Sequence, residues 1–355
     1  MLLVTPPTTT RAIRIERHGP PDVLVEREVA LPAPGPDEIS VRVEAAGINF
    51  ADLLMRAGLY DTVPPRPYTP GFELAGVVTA AGERATHADG ARWREGEPCV
   101  ALTRFGAYAR DLVLPARNAV RRPGAVSALE AAALPVVFLT AHVCLFEAAR
   151  ARDGETVLVL GAGGGVGTAA VQLAVRGGLR AVGTAGTERK RAFVTDELGA
   201  EVCFDSRGDW ESDVRAFLGE RAVDVALDAV GGSATESCRR LLAPLGRLVF
   251  YGMSAAMPGG RRSWPRAAMA WLRTPRFHPL SLIQPGIGVF GIHLLHLHAR
   301  EEILREHLER ILAHVASGEL RAVVDRTFPL TRDGAIEAHR YIHERRNLGK
   351  VVLEA

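Results

Sequence analysis

Residues 157–174, VLVLGAGGGVGTAAVQLA, place an apolar strand, a glycine-crowded turn and a helix with apolar positions three and four apart in direct succession. That order suits a dinucleotide pyrophosphate. Glycine lets the backbone approach the phosphates and lets the helix pack tightly on the strand, while N–H groups at the helix start attract negative charge. The expected contacts are Gly161, Ala162, Gly163, Gly164, Gly165, Val166 and Gly167, with Ala162, Gly164 and Gly167 on the GxGxxG spacing and alanine in its first place. A merely structural glycine turn is the competing reading, and the flanking strand and helix disfavour it. An NAD site usually carries Asp or Glu about twenty residues further on, where it bonds the ribose hydroxyls. This chain has Gly183-Thr184-Ala185-Gly186-Thr187 there, followed by Arg189, Lys190 and Arg191. No carboxylate repels a 2′-phosphate and a basic cluster is at hand to receive it, so NADP(H) is expected over NAD(H). At least one of the three bases must decorate the surface, because adjacent helical residues point in different directions.

Metal chemistry finds little support. Cys99, Cys144, Cys203 and Cys238 lie tens of residues apart with no CxxC pair. His293, His296 and His298, in HLLHLH, are more plainly a packed apolar edge with incidental imidazoles than a ligand set, so no metal is expected.

The elements that must position these groups come in two textures. From Ala12 to Pro115, short β-branched or alternating runs (39–44, 74–78, 109–114) are separated by Pro and Gly clusters such as PAPGPDE at 32–38, a β-rich pattern. From about Leu129, Ala-rich helical stretches alternate with apolar strands at 156–160, 180–184, 202–204, 223–228, 247–251 and 287–293, which signals βαβ units and a doubly wound parallel sheet. A long amphipathic helix is expected over 301–316. Strands at 320–329 and 351–353 then return the tail to the first domain. At 355 residues the chain exceeds the size at which one core keeps growing, and two domains are expected.

A formal net charge of +2 leaves no electrostatic footprint for nucleic acid or an anionic membrane. Residues 1–10 lack the pattern of a secretory signal and read as a loose tail. Every hydrophobic run is broken short of a membrane span, and scattered thiols suit a soluble cytoplasmic protein.

Taken in order, GINFADLLMRAGLY (47–60), TPGFELAGVV (69–78), LPVVFLTAHVCL (134–145), GAGGGVGTAAVQLA (161–174), VDVALDAVGG (223–232) and NLGKVVL (347–353) resemble the medium-chain dehydrogenase/reductase superfamily, specifically its quinone oxidoreductase group. The resemblance covers nearly the whole chain. Residues 273–297 further resemble the branch containing the vesicle amine transport protein homologues. The resemblance implies a Rossmann-type NADP(H)-binding domain at 136–317 and a GroES-like β-rich catalytic domain built from 1–135 and 318–355.

By position the resemblance places Asn49, Tyr60 and Thr140 beside the nicotinamide and substrate, and Lys190 on the 2′-phosphate. Arg345, Asn347 and Lys350 fall in the tail segment that closes over the cofactor, and Gly252, Phe290 and Gly291 complete the implied cofactor set. Ser206 stands where a tyrosine is frequent, which removes one adenosine-side contact. Zinc-dependent relatives carry Cys at the position of Asn49 and His at that of Phe72, and neither replacement ligates zinc effectively. The implied chemistry is hydride transfer from NADPH to a quinone or an α,β-unsaturated carbonyl. Asn49 would donate a hydrogen bond, and Tyr60 would either relay a proton or wall the cleft. Asp52 is expected to brace the loop. A homodimer is implied, and a regulatory NADPH-binding protein with peripheral membrane contact is the alternative, resting on Trp264, Trp271, Arg266, Arg273 and Arg276 near an apolar stretch.

Overall fold

The computed structural model describes residues 8–60, 62–256, 269 and 272–355. Two compact units divide it: Met1–Val136 with Leu295–Ala355, and Val137–Leu294.

In the first unit, β1 (Thr9–Ile15) pairs antiparallel with β2 (Leu24–Ala30). The main sheet has seven strands. Its backbone is β3 (Glu38–Ile48), flanked by β4 (Glu73–Ala81) on one side and by β15 (Lys350–Glu354) on the other. The sheet continues to β5 (Pro98–Leu102) and β7 (Ala119–Arg121) past β4, and to β14 (Val324–Pro329) past β15, while β6 (Asp111–Pro115) pairs with β3. Strands from residues 38–121 and from residues 324–354 therefore share one sheet. The chain leaves β3 at Ile48 and enters helix α1 (Phe50–Ala57) through Asn49.

The second unit is a six-stranded parallel sheet: β8 (Thr156–Leu160), β9 (Arg180–Ala185), β10 (Val202–Asp205), β11 (Val223–Asp228), β12 (Leu242–Phe250) and β13 (Gly288–Gly291). Its spatial order is β10-β9-β8-β11-β12-β13. The order reverses direction between β8 and β11, which is the switch point where α/β sheets open a ligand crevice at their carboxyl ends. Leu158, Leu160, Val182, Ala226, Leu242 and Leu248 form the sheet's contribution to a core closed by Val214 and Cys238 from the covering helices.

Three details depart from the sequence reading. Thr9 and Thr10 are not a loose tail, because β-branched threonines extend β1 into register with Ala30 and Val29. The strand expected to reach His293 stops at Gly291, and a 3-10 turn over Leu294–Arg300 carries His296 and His298, since short apolar runs do not separate helix from strand. Helix Glu301–Ala316 belongs to the first unit, where it packs on β7. Trp264, Arg266 and Trp271 lie outside the described residues.

Candidate active site

In the second unit the glycine turn joins β8 to helix α4 (Gly165–Arg176). Gly161 adopts φ 69°, a left-handed conformation that favours glycine. A Cβ on Gly167 would strike the carbonyl oxygen of Gly161 and come within 2.6 Å of the Ala162 Cα, so the helix packs on the strand only through glycine. Gly164 caps α4 without a side chain, leaving the first-turn N–H groups with no acceptor from the cap. Thr184 is buried at the end of β9 and braces the turn: its hydroxyl accepts from Gly161 N at 3.3 Å and its carbonyl accepts from Ala162 N at 2.9 Å. The Lys190 stem lies across the turn, within 3.0–3.2 Å of where a Gly163 Cβ would stand. Arg191 is committed elsewhere, in an ion pair with Asp205 at 3.0 Å, and Arg189 is exposed. At the end of β11, Asp228 is fully buried. It accepts from Val230 N, Gly231 N and the Thr235 hydroxyl, which fixes the loop against which Gly252 packs.

In the first unit, strand register assembles a second group. Val351 lies opposite Ile48, so Lys350 at the start of β15 sits beside Asn49 at the end of β3, and Glu73 opens β4 next to them. The Lys350 ammonium donates to Ile48 O at 2.7 Å, Asn49 Oδ1 at 2.9 Å and Glu73 Oε1 at 2.6 Å. Asn49 Nδ2 donates to the same Glu73 oxygen at 2.8 Å, and Glu73 Oε2 accepts from Val136 N at 2.7 Å. Glu73 is 0% exposed and Lys350 4%. Gly47 makes the space, since a Cβ there would lie 2.7 Å from the Glu73 carboxyl carbon. The same unit carries a row of rings: Tyr60 lies 6.5 Å from Phe72, which lies 5.9 Å from Phe105.

A buried chain of donors supports Asn49 from below. Asp52 accepts from Asn49 N at 2.8 Å and from Gly71 N at 3.0 Å, so it braces the loop as expected. Burial pushes its pKa up to about 7. Tyr108 is hydrogen-bonded to Asp52 and stands 3.4 Å from His339 Nε2. Arg56, 1% exposed, donates through Nε to His339 Nδ1 at 3.2 Å and through its terminal nitrogens to His343 Nε2 and Gly19 O. Arginine only donates, so both histidines must be neutral acceptors on those nitrogens. Burial and the Arg56 charge lower both histidine pKa values, that of His343 to about 4.

The human protein named synaptic vesicle membrane protein VAT-1 homolog is 34% identical over 331 residues, covering 93% of this chain and 82% of that protein. The chain belongs to the medium-chain dehydrogenase/reductase superfamily. A quinone oxidoreductase from Lama guanicoe is 30% identical, covering 97% of both chains. The solved structure of Escherichia coli quinone oxidoreductase complexed with NADPH superimposes with TM-score 0.84 at 29% identity, over 98% of this chain and 100% of that one. Residues 35–124 match the alcohol dehydrogenase GroES-like domain and residues 198–353 match the family described as zinc-binding dehydrogenase, so the fold is α/β with a GroES-like domain and a Rossmann-type parallel sheet.

Within this superfamily member, the residues singled out by sequence fall into two sets. Gly161–Gly167, Thr184, Lys190, Gly252, Phe290, Gly291 and Thr140 lie in the second unit, while Asn49, Tyr60, Arg345, Asn347 and Lys350 lie in the first. Asn49 and Lys350 touch, and Asn347 donates to Gly349 O at 2.8 Å, shaping the turn into β15. Glu73 escaped the sequence reading although it sits inside a quoted motif. No local pattern marks it, because its partners Asn49 and Lys350 come from other parts of the chain.

Proposed function

We propose that this superfamily member is an NADPH-dependent reductase that transfers hydride to a quinone or an α,β-unsaturated carbonyl without zinc. The observation that carries the reading is the Asn49 carboxamide, held by Lys350 and Glu73, with a buried phenylalanine, Phe72, preceding Glu73 in the chain. These are the positions at which zinc-dependent relatives supply Cys and His. An amide already bonded to an ammonium and a carboxylate at one position, and a phenyl with no lone pair at the other, do not fit a tetrahedral zinc site.

NADPH, when bound, supplies the hydride. The glycine turn fits its pyrophosphate, the Lys190 stem across that turn supports a 2′-phosphate contact, and the Escherichia coli relative was solved with this cofactor. Thr140, Gly252, Phe290, Gly291, Arg345 and Asn347 are proposed to line the nicotinamide and adenosine ends. Asn49 donates its second N–H to the acceptor oxygen as charge builds there, and Tyr60 serves as wall and hydroxyl donor. We further propose a homodimer, supported by β13 standing as the edge strand of the parallel sheet among the described residues, which light scattering would check.

NADPH oxidation by the purified protein against a panel of quinones and enones, with NADH as control, tests the reading. Turnover with NADPH and at least one acceptor is expected. NADPH binding with no turnover on any acceptor would overturn it, and stoichiometric zinc by elemental analysis would overturn its metal-free form.

One observation favours a second reading. Leu272, Leu280 and Ile283 are exposed apolar side chains close in sequence to exposed Arg273 and Arg276. This suits peripheral membrane contact by an NADPH-binding regulatory protein, although no helix among the described residues is long and apolar enough to cross a membrane. Flotation with anionic liposomes separates the two.

A further inference from the structure

We infer that Glu73 and Lys350 are positioning residues that lock the Asn49 carboxamide in one orientation, with one Nδ2 hydrogen kept for the acceptor. The catalytic consequence rests on the reductase reading above, whereas the orientation itself does not.

Chemical complementarity fixes the amide. Oδ1 faces the Lys350 ammonium and Nδ2 faces the Glu73 carboxylate. Turning the amide over would set oxygen against carboxylate and NH2 against ammonium. Both contacts are buried, where mismatched polar groups cost most. Nδ2 carries two hydrogens and Glu73 takes one, and among the described residues nothing takes the other. A free surface asparagine would sample both orientations, while this one presents a donor at all times.

The identity of residue 350 points the same way. Lysine is used at two of 43 basic positions in a chain otherwise committed to arginine. The Lys350 ammonium reaches three oxygens, on Ile48, Asn49 and Glu73, that converge on one point. A compact, three-donor head on a slender stem fits that arrangement. A planar guanidinium fork does not, because its five donors diverge in one plane. Glu73 in turn spends its other oxygen on Val136 N, so the carboxylate cannot swing away from the amide without abandoning a buried backbone donor. The pair is also internally neutral, so it sets direction without leaving a net charge beside the site.

The chain contains three asparagines, Asn49, Asn118 and Asn347, so selective 15N-asparagine labelling yields a readable set of side-chain NH2 signals, with Asn49→Ala identifying its pair. In the wild type the Glu73-bound hydrogen of the Asn49 pair should exchange slowly with solvent. Lys350→Met should move that pair and speed its exchange at least about tenfold, and Lys350→Arg, which keeps the charge and loses the three-way geometry, should not restore it. In the kinetic arm, Lys350→Met should lower kcat about tenfold or more at unchanged NADPH Kd. That loss should vanish in the Asn49→Ala background, because a positioning residue has nothing left to position. Glu73→Gln preserves shape and makes the same predictions, and it serves if Lys350→Met does not fold. Unmoved Asn49 signals in these variants, or kinetic losses that multiply independently with Asn49→Ala, would overturn the inference. If the wild type reduces no acceptor, the reductase reading falls while the NMR arm still decides the clamp.

Discussion

Asn49→Ala removes the amide yet leaves Lys350 and Glu73 paired at 2.6 Å, so it subtracts a donor without stranding a buried charge. The expected result is a fall in kcat of about 10²-fold with NADPH affinity unchanged, since the lost bond matters only as charge develops on the acceptor. Unchanged steady-state kinetics would remove Asn49 from the site. Lys190 is proposed to act in the opposite way, by discriminating between cofactors. Arg191 does not replace it, being already paired to Asp205. Lys190→Met should weaken NADPH about 10–100-fold, the worth of one charge-assisted bond, and leave NADH binding as it was. Fluorescence titration with both cofactors checks this, and equal losses for the two would show that Lys190 only props the turn.

Among the elements, the β8–α4 junction tolerates change unevenly. At Gly167 an added Cβ meets only backbone, the Gly161 carbonyl and Ala162, and neither can step aside. Gly167→Ala should therefore destabilise the second unit by about 1–3 kcal/mol and weaken NADPH binding, as thermal melting and titration would show. At Gly163 the added carbon meets the flexible Lys190 stem, so Gly163→Ala should melt like the wild type and register in NADPH affinity instead. Most of this unit was legible in advance. Strands such as Thr156–Leu160 and Val223–Asp228 are buried apolar runs between turns, and their bounds were read as they stand. The tail after Gly291 was not, because HLLHLH alternates like a strand yet coils into a 3-10 turn. Nor was the partner of Asn49. Lys350 entered only through family resemblance and Glu73 not at all, since the register of β3 against β15 brings together side chains some three hundred positions apart, which no local pattern encodes.

For the molecule as a whole, the buried polar chain beneath Asn49 makes stability depend on pH. His339 and His343 are held neutral in the folded protein, the latter down to about pH 4, whereas in the unfolded chain both take protons near 6.5. Between those values the unfolded state binds more protons, so stability contributed by the histidines is present above about pH 6.5 and drains away as pH falls, by up to about 1.4 kcal/mol per pH unit for each. Asp52 acts in the reverse sense. Its pKa is raised to about 7 against 3.8, so the folded state takes its proton first and gains stability as pH falls through the same window. Two losses against one gain leave a net slope near one proton, which urea unfolding at a series of pH values from 6.5 to 4.5 would measure. His343→Gln should flatten that slope and Asp52→Asn should steepen it. A flat profile in the wild type, or variants that shift it in the same direction, would disprove the assignment.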